Sequence, residues 1–232
     1  MNNLKSVLDF WLLEAQELEE AKFNPEMFDK MDSPEQMILT VAGKLPLLGE
    51  GSSRAAFLLD SKRALKIAKN EKGLAQNRAE YELAQNPGVA PLVTRIYKMG
   101  QNDAWMVSEL VRPLKNHKEF EQLTQVPWSF MHKFLAHYSS LGGVGQAFDV
   151  TVKAQIEADK RARLPVPGMS VRGIEYLPFI GRLFTALANR PDLIPADLQL
   201  LDHWGKTPDQ RVVLLDSGYT EDVYASHYAT RA

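Results

Sequence analysis

Cysteine is absent from the 232 residues, which excludes a disulfide framework and any thiolate metal site and suits a reducing compartment. An excess of charge of one sign is also missing. The chain carries 27 lysines and arginines against 29 aspartates and glutamates, a formal net charge of -2, so no broad basic field exists to hold nucleic acid or an anionic membrane. Long hydrophobic runs are lacking too. The N-terminal stretch "VLDFWLL" is interrupted by Asp9 and followed by the acidic "EAQELEE", too short and too polar for a signal peptide or a membrane span. There are no internal repeats and no low-complexity segment. The expectation is a soluble, unprocessed cytoplasmic protein with neither nucleic-acid nor membrane partners. Apolar residues, by contrast, make up 45% of the chain, enough at this length for one sizeable core or two small lobes.

Periodicity divides the chain into three parts. Leu4, Leu8, Trp11, Leu12, Ala15 and Leu18 recur at helical spacing, which predicts an amphipathic helix over residues 3–22 that docks on the body. "FNPEMFDKMDSPEQ" reads as loop, with Ser33 before Pro34 and Glu35 capping a short helix that runs to about Val41. From Leu45 to Val111 short apolar runs are broken by glycine and charge, in the order strand, strand, strand, helix, strand, strand, with the helix at "AQNRAEYELAQN". Beyond that, Trp128, Met131, Phe134, Leu135, Tyr138 and Leu141 line one helical face, and Leu177, Ile180, Leu183, Phe184 and Leu187 line another. The segment between them, "GQAFDVTVKAQIEADKRARLPVPG", is ambiguous at its start and charged, proline-broken and exposed at its end. "WGKT", "PDQR" and "VVLLD" read as strand, turn and strand. The fold class is therefore α+β: a helical extension over 1–43, a small antiparallel-sheet lobe with one helix over 44–112, and a mostly helical lobe over 113–232.

The chemistry-bearing residues begin at "LGEGSSRAAFLL", residues 48–59. A dinucleotide fingerprint requires a helix directly after its glycines, whereas "AAFLLD" reads as strand, and no G-K-[ST] follows to make a Walker loop. What remains is a hairpin whose Gly49 and Gly51 let backbone approach a phosphate. Ser52 and Ser53 either donate to that phosphate or serve as turn residues. On the next strand, "RALKIAK" sets Lys66 among apolar neighbours, where it can meet phosphate as a point charge. On the following helix, Glu80 and Glu82 stand about 200° apart, so only one faces inward, and the flanking apolar stripe favours Glu80. Near the C-terminus "VVLLDSG" ends an apolar strand on Asp216, a position from which a carboxylate can hold a cation against phosphate. His117, His132, His137 and His227 show no metal spacing and are assigned to the surface or to helix packing.

Taken in this order, the glycine hairpin, strand lysine, helix glutamate and late D-x-G resemble the protein-kinase-like superfamily. The finer pattern, "GSSRAAFLL" and "ALKIAKNEKGLAQNRAE" with "DHWGKTPDQRVVLLDSGYT" later, resembles small kinase-like proteins of phages and bacteria. The likeness covers roughly residues 47–111 and 191–222. It implies a two-lobe fold with a reduced, mostly helical C-lobe and ATP with Mg²⁺ or Mn²⁺ held between the lobes. Gly49, Gly51, Ser52 and Ser53 would then contact the nucleotide, Lys66 would hold its phosphates, Glu80 would orient Lys66, and Asp216 would hold metal. Asp197, 19 residues before Asp216, would serve the acceptor hydroxyl, and either Asp202 or His203 would be the second metal ligand. Three features depart from the pattern: Arg54 stands where a third glycine would be, the triplet is Asp-Ser-Gly, and no His-Arg-Asp triplet exists. Two functions follow. One is a phosphotransferase acting on protein Ser/Thr or on a small molecule, with nucleotide and a protein partner as its ligands. The alternative is a catalytically inactive, pseudokinase-type binding or structural protein, perhaps of a phage, in which case it resides in the host cytoplasm or the virion.

Overall fold

Alternation along the strands between Leu47 and Glu109 decides which side chains are buried together. A computed structural model describes residues 23–31, 33–162, 171–190, 192–215, 217–218 and 220–227; the helix expected over residues 3–22 lies outside them. Strands β1 (Leu47–Glu50), β2 (Arg54–Leu58), β3 (Arg63–Ala68), β4 (Ile96–Met99) and β5 (Trp105–Glu109) form one antiparallel sheet in the order β1-β2-β3-β5-β4. The β2–β3 connection is closed by Asp60, whose Oδ1 accepts from the backbone N–H of Lys62 and of Arg63, both at 2.8 Å, an aspartate-nucleated turn. Ala55, Phe57, Leu65, Ile67, Trp105 and Val107 share one core. Period-two alternation sends Ala56, Ala64, Lys66 and Ser108 to the opposite face.

Residues 23–41 supply the other half of that core. Helix α1 (Pro34–Val41) starts where Ser33 Oγ accepts from Gln36 N–H, and it buries Met37 and Val41. Ahead of it, "PEMFDK" forms a 3-10 turn over Pro25–Lys30 that buries Phe28, so this segment is more regular than the loop expected there. Trp105 Nε1 donates to Asp29 Oδ1 at 2.9 Å. Helix α2 (Glu71–Gln85), capped by Asn70 Oδ1 on Gly73 N–H, starts four residues earlier than its apolar pattern suggests and packs against β3.

The second core is helical and aromatic. It is built from α3 (His117–Thr124), α4 (Trp128–Leu141), α5 (Val144–Ala162), α6 (Pro178–Asn189), the short α7 (Pro195–Leu198) and a small sheet, β6 (Arg112–Pro113), β7 (Trp204–Lys206) and β8 (Val212–Leu214). Phe120 sits edge-on to Trp128 at 4.9 Å and to Phe179 at 5.2 Å, the geometry that the ring quadrupoles favour. The ambiguous segment after Gly143 is helix α5. Its cue is faint because it buries chiefly Ala147, Phe148 and Thr151, with the Thr151 hydroxyl folded back on Ala147 O. A last helix, α8 (Glu221–His227), rests on α2. Leu83, Val89, Leu92 and Val93, from the end of α2 and the loop after it, belong to the second core, so the sheet and the helical part are joined through α2. The protein is thus α+β, a small antiparallel sheet and several helices around two main hydrophobic clusters, with a third, small one of Leu58, Ala64 and Leu110. Among the described residues no helix is long and apolar enough to cross a membrane.

Candidate functional site

Lys66 leaves the core because its neighbours Leu65 and Ile67 enter it. Its Nζ lies 2.5 Å from Glu80 Oε1 and 3.2 Å from Leu215 O, so a strand, a helix and the segment after β8 meet at one ammonium. Glu80 has 0% exposure and Lys66 14%, while Glu82 is exposed. The inward glutamate is therefore Glu80. Its second oxygen accepts from Arg54 Nη1 at 2.6 Å, and Arg54 Nη1 also reaches Asn77 Oδ1 at 3.2 Å. A carboxylate this buried stays charged only with such partners.

Next to Lys66 is a cleft of about 200 Å³, and Ala64 and Leu110 on its walls belong to the third, small hydrophobic cluster. Leu48, Ala56 and Ala64 from the large sheet and Val111, Pro113 and Leu215 from beyond it make its apolar walls, and Gly49 stands at its rim. Thr94 and Ser108 also line it, and their hydroxyls are buried with no hydrogen-bond partner among the described residues. At the strand exit Glu109 accepts from Arg211 Nη2 at 2.5 Å, and Arg211 Nη1 donates to Val93 O at 3.1 Å. Nothing in the sequence pattern singled out this latch between the small sheet and the large one.

The glycines separate into two kinds. A Cβ added at Gly49 meets nothing within 4 Å, and one at Gly51 meets only Arg54 O at 3.9 Å, so neither close packing nor a left-handed backbone explains them. At Gly73 a Cβ would stand 2.2 Å from Ser53 O, and at Gly218 it would stand 2.4 Å from Gln76 O. Those two are packing glycines that seat the hairpin and the residues after β8 against α2.

The two serines part company. Ser53 turns inward, its Oγ donating to Gln76 Oε1 at 2.6 Å, so its hydroxyl is used within the protein and does not line the cleft. Ser52 is exposed and its carbonyl accepts from Asn70 Nδ2 at 3.0 Å. Gly51 O accepts from Lys69 Nζ, which also pairs with Glu50 at 2.5 Å.

Asp197 sits in the first turn of α7, where Ile194, not Asp197, is the N-cap residue. Asp202 is exposed, and His203 is half-buried with an Nδ1 that has no hydrogen-bond partner among the described residues. His203 O accepts from Leu215 N–H at 2.9 Å, so the loop carrying Asp202 and His203 is tied to the residue whose carbonyl touches Lys66. Asp216 lies outside the described residues. Among those described, no three His, Asp or Glu side chains are grouped as a metal cage. His117 stacks on Trp128 at 5.0 Å and His137 hydrogen-bonds Thr151 at 2.9 Å, both packing roles.

No protein-family model matches the chain, and no curated protein and no solved structure matches it.

Proposed function

We propose that the cleft beside Lys66 holds ATP with Mg²⁺ or Mn²⁺, in a kinase-like protein that transfers phosphate to a hydroxyl of a protein or small molecule. The observation that carries this reading is the placement of Lys66. Its ammonium is fixed by a fully buried glutamate at the edge of a cleft with apolar walls, and partial desolvation strengthens its pull on phosphate. Gly49 lines the cleft without a side chain to block it, which suits the close approach of a phosphate to backbone. The apolar walls suit the faces of a planar base.

In this reading Lys66 binds the phosphates and Glu80 orients Lys66. As the γ-phosphoryl group leaves the ADP oxygen for the acceptor oxygen, Asp197 takes the acceptor hydroxyl's proton. Mg²⁺ prefers oxygen donors and commonly uses one or two carboxylates plus phosphate. Asp216 and Asp202 have that chemistry, whereas the His203 imidazole suits softer metals. When bound, the ion would neutralise charge developing on the phosphates.

The catalytic-loop sequence "IPADLQLLDHWG", without a His-Arg-Asp triplet, favours a second reading, a pseudokinase-type protein that binds nucleotide without transferring phosphate. Labelled ATP with Mg²⁺ or Mn²⁺ separates the two. Phosphate incorporated or released, and abolished by Lys66→Met, supports transfer; binding without turnover supports the second reading; absence of binding overturns both.

A further inference from the structure

We infer that Arg54 is a positioning residue that bolts the glycine hairpin to α2, so that the Lys66–Glu80 pair stands assembled before any ligand arrives. The inference rests on the nucleotide reading of the cleft for its purpose, but its geometry is independent of it. Arg54 opens β2 directly after the hairpin loop, and its side chain, 10% exposed, crosses to α2. There one guanidinium nitrogen meets both Glu80 Oε2 and Asn77 Oδ1. Because Lys66 takes the other Glu80 oxygen, two cations on separate oxygens fix the carboxylate plane, and with it the direction from which Lys66 is held. A single lysine would leave that plane free to turn.

Neighbouring ties reinforce the same junction. Ser53 bonds Gln76, Asn70 bonds Ser52 O, and the missing Cβ of Gly73 lets α2 lie against Ser53 O. Asn77 is itself held by donating to Asp103 O at 2.7 Å. The hairpin and α2 are therefore joined at residues 70, 73, 76, 77 and 80 and move as one body. In protein kinases the lysine–glutamate pair is the contact that helix positioning and phosphorylation control. Here a residue of the hairpin itself makes that contact permanent, so nucleotide binding awaits neither a modification nor a partner.

Hydrogen exchange of the full chain with and without ATP tests this. In the wild type, residues 49–56 and 73–80 are expected to exchange slowly without ATP, and ATP is expected to add little protection. Arg54→Met should raise exchange in both segments about tenfold while α4 and α6 stay unchanged; ATP should then restore much of the protection and bind about tenfold more weakly. Arg54→Lys, which keeps the charge but not the guanidinium fork, should fall between, and it serves as the test variant if Arg54→Met does not fold. Fast exchange of the wild-type hairpin without ATP overturns the inference. So does a rise spread evenly over all helices, which would make Arg54 merely structural. If the wild type binds no ATP yet Arg54→Met loosens only these two segments, the nucleotide reading fails and the positioning role stands.

Discussion

Glu80 is a carboxylate with no exposed surface, and such a group is tolerable only while its oxygens are occupied. Removing it strands two cations, Lys66 and Arg54, in a partly buried junction. Glu80→Ala is therefore expected to cost about 3 kcal/mol of stability in urea unfolding, whereas Glu82→Ala, on the exposed side of the same helix, should stay within about 0.5 kcal/mol. Equal effects at the two positions would contradict the assignment. This half of the site was legible in the sequence: strand alternation points Lys66 away from the core, and the angle between residues 80 and 82 leaves one inward carboxylate. The Arg54 half was not. In the sequence Arg54 is only a departure from a glycine pattern, and its partner Asn77 is a neutral side chain 23 residues away. From the sequence Ser53 reads as a phosphate donor or a turn residue, since nothing local to it announces Gln76.

At the scale of elements, the contact between the hairpin and α2 reverses an ordinary propensity. Alanine in place of glycine inside a helix normally gains up to about 1 kcal/mol. Gly181, exposed in α6 with open space around it, should show that gain. Gly73→Ala should instead lose about 1 to 3 kcal/mol, because its Cβ would meet Ser53 O and Ala68. Thermal melts of the two variants give opposite signs if the seam is as described. A second junction links α3 to β7 through Lys206 and Glu119, 2.6 Å apart. Burial favours the neutral Glu119 carboxyl, but hydrogen bonds from Lys206 and from Lys115 N–H, with the Lys206 charge, outweigh it and hold the carboxyl below its usual value of 4.5. A folded-state value that is depressed means stability present above the unfolded value and lost as pH falls through the folded one. The wild type should thus lose stability as the pH drops below about 4.5, and Glu119→Gln should flatten part of that slope. A slope unchanged by the variant would show that the junction contributes nothing. Helix α5 shows what periodicity misses: polar and acidic residues interrupt its stripe, and its packing rests on Ala147, Phe148 and Thr151 with partly buried Val144 and Val152.

Over the whole molecule, α2 joins the sheet to the helical part: it packs against β3, and its Leu83 enters the helical core. The order of strands and the helix after β3 could be read from apolar runs and turn residues. The closing contacts, Arg211 on Glu109 and Gly218 on Gln76, join residues more than 100 positions apart and leave no local trace. The central claim is that the cleft beside Lys66 binds nucleotide through that lysine, and a thermal-shift titration with ATP tests it most directly. A ligand bound only by the folded state, at ten times its Kd, adds about 1.4 kcal/mol and should raise the midpoint by about 3 to 5 °C. The expected result is such a rise with Mg²⁺ or Mn²⁺ for the wild type and its loss in Lys66→Met; no rise at millimolar ATP with either ion, or an equal rise in the variant, would contradict the claim.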